Sequence, residues 1–492
     1  MANSEYDVIV AGAGNASILA ALAACEKGAK VLILEKAPPE WRGGNTYFTT
    51  GVFRAAIENA QQIMFRIMPQ IPRAQIESFV IPDYPKDHYY NDHMRVTEGM
   101  ADSNQLELVV KESIPIIEWM AKQGFEWEPN IDPLSKKEDG KIIFPGGGLQ
   151  FQARGGGAGL SDRGFALIAE RGIELRYKTK VSNLLMDSGG RVSGVVVQNK
   201  DGIQEITSKA VILGCGGFES NPAMRCQYLG KNWDLCKVRG TPYNTGDMLR
   251  AAMEHGAAPV GHWGGCHSCF IDAQTPQPSI RAMADRTRRI FHQFGIVINA
   301  RGERFLDEGE DLNALTYAKV GQYCLQQPHL TAYQIFDSKV RPFLEDYYQT
   351  GRWVEANSIR ELAEDLDIDS DRLVQTVEEF NAAARQPNTF VPARKDGNST
   401  VGITPMKSNW ALKLDAPPYV AYATNCGITF TYGGIRVDRK SQVLNTEGEV
   451  IRGLYACGEI VGGLFYHNYP GGTGLTRGAV MGRIAGYNSA AE

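Results

Sequence analysis

The first 36 residues alternate short apolar runs with a stretch of helical character. Tyr6–Val10 is apolar and β-branched, a Gly-rich turn and an Ala-rich stretch to about Lys27 follow, and Lys30–Leu34 is a second apolar run. Continuous apolar strands that alternate with helices are typical of a parallel sheet buried on both faces. The pattern therefore predicts a βαβ unit that ends at Glu35, in a protein of the α/β class.

The same criteria predict further elements along the chain. We expect strands at Glu174–Tyr177, Val192–Gln198, Ala210–Leu213, Ile435–Asp438 and Leu454–Ala456. We expect helices over Asn104–Gln123, as a pair within 355–385 with Asp369 in the cap of the second, and after Gly474. Residues 65–95 hold four prolines and many aromatic residues, so we expect them to be irregular.

Composition restricts the class of protein. The 492 residues are 43% hydrophobic and 22% charged, with a formal net charge of -5. These values describe a globular protein without a basic face, so we expect neither nucleic acid nor anionic membrane as a partner. No apolar run approaches the roughly 20 residues that span a bilayer. Nine scattered cysteines and no signal-peptide pattern lead us to expect reduced thiols and a cytoplasmic location.

The turn after the first strand carries the first chemical motif, Gly12-Ala-Gly14-Asn-Ala-Ser17. Gly12 permits the tight turn, and Gly14 lets the backbone approach a pyrophosphate at the start of the helix. Glu35 lies at the end of the second strand, where an acidic side chain accepts hydrogen bonds from a ribose. Ser17 replaces the third glycine, which we expect to loosen helix–strand packing. The motif predicts a dinucleotide site for either NAD(P) or FAD.

Three later glycine clusters decide between these cofactors. They are Gly43-Gly44-Asn45-Thr46, the strand-to-glycine segment Ala210–Phe218, and Gly453–Glu459, and they are followed by Gly471-Gly-Thr-Gly474 before the last helix. In this order and spacing they resemble the FAD-dependent fumarate reductase/succinate dehydrogenase flavoproteins, over nearly the whole chain. Within that family the segments Arg95–Gly99, Val238–Asp247 and Gly302–Asp311 are most similar to tricarballylate dehydrogenases.

The resemblance implies a fold and a cofactor. It implies a Rossmann-like FAD-binding domain over 1–264 and 426–492, with an inserted α+β cap domain over 265–425 that covers the substrate. No histidine lies near Gly44, where succinate dehydrogenases attach flavin, so we expect non-covalent FAD. The residues expected to bind FAD are Gly12, Gly14, Asn15, Ala16, Glu35, Lys36, Gly43, Gly44, Asn45, Thr46, Val181, Gly216, Gly217, Gly458, Glu459, Gly472, Thr473, Gly474 and Leu475.

The substrate-binding positions match the family less well. His267 matches the first of two substrate histidines, but the second falls at Phe430 and the carboxylate-binding arginine falls near Tyr469. The position of the proton-donor arginine is occupied by Asn313 or its neighbours. A strict fumarate reductase is therefore not expected.

Tyr469-Pro470-Gly471 instead resembles the Tyr-Pro-Gly of 3-ketosteroid dehydrogenases, where a tyrosine polarises a ketone. A second tyrosine acts as base there. Tyr317 is our first candidate for that role here, and Tyr432 and Tyr466 are alternatives. A buried tyrosine near a cation can ionise below its usual pKa of about 10.

Further candidates carry charge or sulfur. Lys319 and Arg304 are possible cations beside the tyrosine base, and Arg239 or Arg304 could hold a carboxylate through two hydrogen bonds. Cys266-His-Ser-Cys269 is a Cys-x-x-Cys without a second pair, so we expect no metal; packed thiols or a redox disulfide remain alternatives.

The sequence thus predicts an FAD-dependent dehydrogenase or reductase that acts on a C–C bond next to a carboxylate or carbonyl. The first substrate class is a small polycarboxylate of tricarballylate type, and the alternative is a cyclic ketone, with ketosteroid-dehydrogenase-like or ene-reductase activity. A third interpretation is an electron-transfer flavoprotein subunit. Electrons would leave through an unknown acceptor or redox partner.

Overall fold

A computed structural model describes residues 5–344 and 346–492. The helices are α1 Asn15–Glu26, α2 Ala60–Ile67, α3 Arg73–Glu77, α4 Lys86–Val96, α5 Ser103–Gln123, α6 Gly156–Glu170, α7 Pro222–Leu229, α8 Asp247–Glu254, α9 Tyr317–Cys324, α10 Ile359–Asp365, α11 Ser370–Ala383 and α12 Thr473–Ser489.

The strands are numbered in chain order. They are β1 Tyr6–Ala11, β2 Val31–Leu34, β3 Val52–Phe53, β4 Phe79–Val80, β5 Trp127–Pro129, β6 Lys136–Glu138, β7 Lys141–Ile143, β8 Phe151–Ala153, β9 Glu174–Arg176, β10 Lys180–Met186, β11 Val192–Asn199, β12 Gly202–Leu213, β13 Lys237–Val238, β14 Pro259–Val260, β15 Cys266–Asp272, β16 Ile296–Asn299, β17 Ala332–Phe336, β18 Val354–Ala356, β19 Ala384–Arg385, β20 Ser399–Thr400, β21 Tyr419–Thr431, β22 Gly434–Ile435, β23 Gln442–Leu444 and β24 Val450–Ala456.

The largest sheet has eight strands in the order β10-β11-β12-β1-β2-β9, with β24 paired to β12 and β23 paired to β24. Strands β1, β2 and β9, the carboxyl half of β12 and β24 run parallel. The apolar residues of β1, β2 and the carboxyl ends of β12 and β24 are buried, and α1 and α12 pack against this part of the sheet. Leu175 of the edge strand β9 is only partly buried. This is the buried parallel sheet that the apolar runs predict, and the α/β class is confirmed.

The second sheet is built around the 13-residue strand β21. It has the order β13-β21-β17-β16, and β15 and β18 also pair with β21. Because β21 reaches Thr431, this sheet extends beyond residue 425. At its other end the sheet also takes in β13, which precedes residue 265. The range 265–425 for a cap domain stays a prediction.

The expectation of an irregular segment over residues 65–95 is wrong. The end of α2, all of α3 and most of α4 lie there. Pro72 and Pro85 each occupy the position immediately before a helix, where a missing backbone N–H costs nothing. The prolines therefore begin helices in this segment rather than interrupt them.

Two other local expectations differ in outcome. Asp369 caps α11, since its carboxylate accepts a hydrogen bond from the Arg372 backbone N–H at 3.0 Å. Ser17 does not loosen the packing of α1: its hydroxyl is fully buried and donates to the Gly214 carbonyl at 2.8 Å. A glycine at 214 leaves the space that Ser17 fills.

The described residues include all nine cysteines, which form no disulfide. Cys266 and Cys269 are both buried on β15 but pack in different apolar clusters. Within residues 5–344 and 346–492, no helix combines the length and the apolar character that crossing a bilayer requires.

Candidate active site

A long cavity begins at the carboxyl ends of the parallel strands and continues to the second sheet. Gly12, Glu35, Gly214 and Gly458 follow or end strands β1, β2, β12 and β24, and all four line it. Parallel α/β sheets bind ligands at this edge. The far end of the cavity is lined by residues of β15, α9 and β21.

Glu35 marks the near end of the cavity. Its carboxylate is buried and accepts a hydrogen bond from the Ala37 backbone N–H at 2.7 Å. Burial raises the pKa of Glu35, and the backbone N–H donors oppose that shift. Because this carboxylate lines the cavity, it can also accept a hydrogen bond from a ligand hydroxyl, as a ribose would supply.

Two lysines flank Glu35 at the same end. Asp247 of α8 accepts from Lys36 Nζ at 2.8 Å and lies 2.7 Å from Lys180 Nζ. These two ammonium groups, together with the Thr245 hydroxyl, hold the pKa of Asp247 below its usual range although burial opposes them. The near end therefore combines one buried carboxylate with a partly exposed ion-pair cluster.

Gly12 and Gly14 differ in what restricts them. Gly12 has φ +98°, and a Cβ there would lie 2.8 Å from the Gly214 carbonyl oxygen, so the packing of β1 against the 214–215 turn requires glycine. At Gly14, φ is -81° and the nearest atom to an added Cβ is Thr46 Oγ1 at 3.6 Å. Gly14 thus leaves open space that belongs to the cavity.

The far end gathers three polar rings. The centroid of the His267 ring lies 5.0 Å from those of Tyr317 and Tyr469, and the two tyrosine rings are 6.3 Å apart. The Tyr469 hydroxyl accepts a hydrogen bond from the Gly472 backbone N–H at 3.0 Å. Its own proton is therefore available to another acceptor.

Two arginines line the same end. Arg239 donates to Thr429 Oγ1 at 2.9 Å and pairs with Asp285, and Arg288 Nη1 lies 2.5 Å from the other oxygen of Asp285. One carboxylate is thus shared by two guanidinium groups, which leaves one positive charge in this cluster.

Burial sets the protonation of the rings. Burial and the neighbouring Arg239 lower the pKa of His267 to about 3, so the imidazole is neutral at physiological pH. Its Nδ1 is buried and has no hydrogen-bond partner among residues 5–344 and 346–492. Burial also raises the pKa of Tyr317 well above its usual value, and Tyr469 adds to the shift.

A family model described as FAD binding domain matches residues 7–475. The chain belongs to this family. The predicted cofactor, FAD, is confirmed with it.

Relatives and solved structures agree with the predicted resemblance. An NADH:fumarate oxidoreductase of Klebsiella pneumoniae (strain 342) is 28% identical over 99% of this chain and 48% of the relative. A fumarate reductase (cytochrome) of Shewanella frigidimarina is 28% identical over 99% of this chain and 77% of the relative. The chain therefore spans about half the length of the first of these proteins and about three quarters of the second.

A solved structure shares the fold at lower identity. The 3-ketosteroid delta1-dehydrogenase from Sterolibacterium denitrificans, in complex with 1,4-androstadiene-3,17-dione, has a TM-score of 0.75 and 22% identity, covering 99% of both chains. The resemblance to fumarate reductase flavoproteins, with a further likeness to 3-ketosteroid dehydrogenases, is confirmed. So is the predicted fold class.

The cavity of this FAD binding domain suits the cofactor. Gly14 leaves room for the close backbone approach that a pyrophosphate needs, and the Glu35 carboxylate can accept a hydrogen bond from a ribose. The start of α12 at the far end adds a partial positive charge. The predicted FAD-binding residues that line it are Gly12, Gly14, Asn15, Ala16, Glu35, Lys36, Gly44, Asn45, Thr46, Val181, Gly216, Gly458, Glu459, Gly472, Gly474 and Leu475.

Three of the predicted FAD-binding residues lie behind the lining. Gly43 is the left-handed residue before Gly44, and an added Cβ would meet the Ser161 hydroxyl. An added Cβ at Gly217 would meet Thr431 and Glu459. Thr473 is fully buried, with its hydroxyl 3.1 Å from the Tyr89 hydroxyl. These residues shape the wall rather than contact the cavity.

Two predicted catalytic cations do not reach the far end. The Arg304 guanidinium pairs with the buried Glu308 at 2.5 Å and donates to the Pro405 carbonyl. Lys319 Nζ lies 2.7 Å from Glu310. Neither side chain lines the cavity, so neither supplies the cation that we expected to lower the pKa of Tyr317. The raised pKa of Tyr317 follows from burial without that compensation.

Several residues that line the cavity were not predicted from the sequence. Lys180, Asp247 and Asn244 lie at the near end and centre, and Arg288 and Thr429 lie at the far end. Thr429 belongs to β21 and Arg239 extends β13, so only the pairing of these strands brings the two together. Lys180 directly precedes the predicted Val181, a proximity that could have indicated it.

Proposed function

We propose that this flavoprotein moves a hydride and a proton across a C–C bond next to a carboxylate, on a small polycarboxylate of tricarballylate type. The proposal is carried by the far end of the cavity, where two arginines that share one carboxylate meet His267, Tyr317 and Tyr469. This set combines a net positive charge with three neutral hydrogen-bonding rings. The names of the two fumarate-acting relatives support an anionic substrate.

Arg239 and Arg288 would bind substrate carboxylates. Asp285 fixes both guanidinium groups in place and neutralises one of their charges. Arginine favours carboxylates because its N–H groups match the two oxygens. The neutral imidazole of His267 and the free proton of Tyr469 add donors that do not depend on charge.

Tyr317 would carry the proton. Because burial keeps its hydroxyl protonated at neutral pH, Tyr317 is set to donate a proton when a double bond is reduced. In the direction of dehydrogenation it must first lose its proton, so that rate should rise with pH. FAD, when bound, supplies the acceptor or donor of the hydride.

The residues proposed to bind substrate come from both predicted domains, the FAD-binding domain and the cap domain. His267 and Tyr317 lie within 265–425, and Tyr469 lies within 426–492. We propose that 265–425 acts as the cap over the substrate, and that a diffusible acceptor or a redox partner in the cytoplasm takes the electrons.

A cyclic ketone is the second candidate, and a specific contact favours it. The Gly472 N–H donates to Tyr469 Oη, so the Tyr469 O–H can point at a single carbonyl oxygen. Phe430, which lies beside Tyr469 with ring centroids 6.3 Å apart, offers an apolar wall. The solved structure with a bound steroid supports this alternative.

A substrate panel separates the two candidates. Purified holoprotein is mixed with tricarballylate, succinate or a 3-ketosteroid and a dye acceptor, and dye reduction is followed. We expect tricarballylate to be oxidised, and Arg239→Gln to raise its KM at least tenfold. Turnover of the ketosteroid alone, unchanged by Arg239→Gln, would replace the first proposal with the second. No turnover of any carboxylate or ketone would contradict both.

A further inference from the structure

Two glutamates meet beneath the middle of the cavity. Glu459 lines the cavity, whereas Glu219 is fully buried behind it. The two carboxyl groups are within hydrogen-bonding reach of each other. Neither is part of the proposed reaction, and Glu219 directly follows the glycine segment Ala210–Phe218 without belonging to it.

The hydrogen bonds of Glu219 are unequal. Its Oε1 accepts from the amide groups of Asn45 at 2.6 Å and Asn244 at 2.5 Å. Its Oε2 is buried and, among residues 5–344 and 346–492, has no donor. A buried carboxylate oxygen without a donor is costly, and a second carboxylate beside it adds repulsion.

A single proton between the carboxyl groups removes both costs. Glu459 already accepts from the Thr431 backbone N–H at 2.8 Å and from the Thr431 hydroxyl at 3.1 Å. Arg477 lies close enough to favour its ionised form. The proton therefore belongs on Glu219 Oε2, which then donates to Glu459.

We propose that Glu219 is a protonated positioning residue that holds Asn45, Asn244 and Glu459 in the orientation that binds FAD. All three of these residues line the cavity, and Glu219 contacts each of them from behind. Loss of the proton would place two negative charges side by side in the core. The pair should then separate, and FAD should dissociate as the pH rises. This inference rests on FAD binding and not on the identity of the substrate.

The surrounding groups agree with this assignment. Arg477 of α12 and Arg225 of α7 are the cations that face the pair, and Arg225 donates to the Glu219 backbone carbonyl at 2.5 Å rather than to its carboxyl group. Cys266 of β15 also faces Glu219, and burial raises the pKa of its thiol well above its usual value. Burial and Glu459 together raise the pKa of Glu219.

The loop that carries Glu219 packs closely against Thr431 and Glu459 on one side. An added Cβ at Gly217 would lie 2.1 Å from Thr431 Oγ1 and 2.3 Å from Glu459 Oε1. The backbone of residue 217 thus packs directly against the acceptor of the proton. Glu459 cannot turn toward this side if the proton is lost.

Infrared spectroscopy of the holoprotein tests the proton directly. A protonated carboxyl group has a C=O stretching band that is separate from that of a carboxylate and shifts in heavy water. We expect Glu219→Gln to lose the intensity of one such carboxyl group and to keep FAD, with a Kd within about threefold of the parent protein at pH 7. Glu310→Gln, which changes an exposed carboxylate paired with Lys319, should leave the band intact.

The pH dependence of FAD binding is the second measurement. For the parent protein, the Kd for FAD should increase by about tenfold per pH unit once the pH exceeds the pKa of the Glu219–Glu459 pair. The reason is that one proton leaves the pair when FAD dissociates. The Glu219→Gln amide cannot titrate, so its Kd should be flat over the same range. The same pH dependence in both proteins, or an unchanged infrared band in Glu219→Gln, would overturn the proposal.

A further variant guards against a folding defect in Glu219→Gln. In Glu459→Gln the new amide can donate to Glu219 Oε2, so Glu219 no longer needs its proton. We expect the infrared band of one carboxyl group to disappear from Glu459→Gln as well. A band of full intensity in that variant would show that the two side chains do not share a proton.

Discussion

The two ends of the cavity are built in different ways. At the near end, Gly12, Gly14 and Glu35 lie within one βαβ unit, and the two glycines bring the backbone to the cavity. At the far end, His267 and Tyr317 come from elements 50 residues apart, and Tyr469 follows 152 residues later. A cofactor common to many enzymes is held by local backbone geometry, while the reacting end is assembled from side chains.

This difference leads to distinct expectations for substitutions. Changes at the near end should alter FAD binding without altering turnover of the FAD that remains bound. Changes at the far end should alter turnover and leave FAD content unchanged. Four of the five predictions that follow test this separation, and the prediction on acid stability is independent of it.

The largest effect is expected for Gly14→Val. Its Cβ would lie no closer than 3.6 Å to another protein atom and would occupy the cavity, so the protein should fold and purify colourless. Gly12→Val should instead lower the Tm of the FAD-free protein, because of its left-handed φ and the 2.8 Å approach to Gly214. FAD content by acid release and thermal unfolding of both apoproteins check this. Yellow Gly14→Val protein with full FAD content would refute it.

Tyr317→Phe is expected to have the next largest effect. It keeps the ring packed against His267 and removes only the hydroxyl. If Tyr317 carries the proton, kcat should fall by roughly 10²–10⁴-fold with FAD content unchanged. Tyr323→Phe, in the same helix but away from the cavity, is the matched control and should keep full activity. Equal activities of the two variants would assign the proton to another group.

Tyr469→Phe should have a smaller effect on kcat. The variant loses the proton that the Gly472 contact leaves free for the substrate. Loss of one such donor typically costs roughly 10²–10³-fold. The measurement is kcat and KM with the substrate that the panel identifies. A change in FAD content instead of kcat would place Tyr469 with the near-end residues and break the comparison.

Most residues of the near end could be predicted from the sequence. They directly follow strands that can be recognised as runs of hydrophobic residues. Gly12, Gly14 and Glu35 follow directly from β1 and β2. Lys180 and Asp247 were missed, although Lys180 precedes the predicted Val181 and Asp247 ends the segment Val238–Asp247, because only the fold brings β10 and α8 together at this end.

The far end could be predicted only in part. Resemblance pointed to His267 and Tyr469, yet it also suggested Arg304 and Lys319, whose charges are taken by Glu308 and Glu310. Which acid an arginine pairs with depends on tertiary packing, and sequence proximity to a motif does not determine it. Arg288 illustrates the converse, since it lines the cavity although no pattern in its neighbourhood indicates it.

Acid stability is expected to depend on three buried histidines, of which His267 lines the cavity and His93 and His292 do not. Burial lowers the pKa of His93 and His292 to about 4 and that of His267 to about 3. Unfolded histidine titrates near 6.5, so between these values the unfolded chain binds more protons, and the free energy of unfolding falls as the pH falls. Each histidine should contribute about 1.4 kcal/mol per pH unit.

Urea unfolding between pH 4 and 7 measures this slope. His93→Gln should reduce the slope by one proton relative to the parent protein. His88→Gln, at an exposed position, should leave it unchanged and serves as the control. Equal slopes in the two variants would mean that His93 is protonated in the folded protein.

The smallest effect is expected for Asp247→Asn, which keeps the shape of the near end and removes one charge. Asp247 lies between Lys36 and Lys180, but these groups are partly exposed, so solvent screens their attraction. We expect a loss of about 1 kcal/mol in the free energy of unfolding, less at high salt, and less than a tenfold change in the Kd for FAD. Because the pKa of Asp247 is lowered in the folded state, this contribution should be present at neutral pH and disappear in acid.

Asp162→Asn, which removes an exposed carboxylate 3.4 Å from Arg42, is the control and should change the unfolding free energy by less than about 0.5 kcal/mol. The kcat of Asp247→Asn with saturating FAD should equal that of the parent protein, and a lower kcat would show that charge at the near end reaches the reacting end.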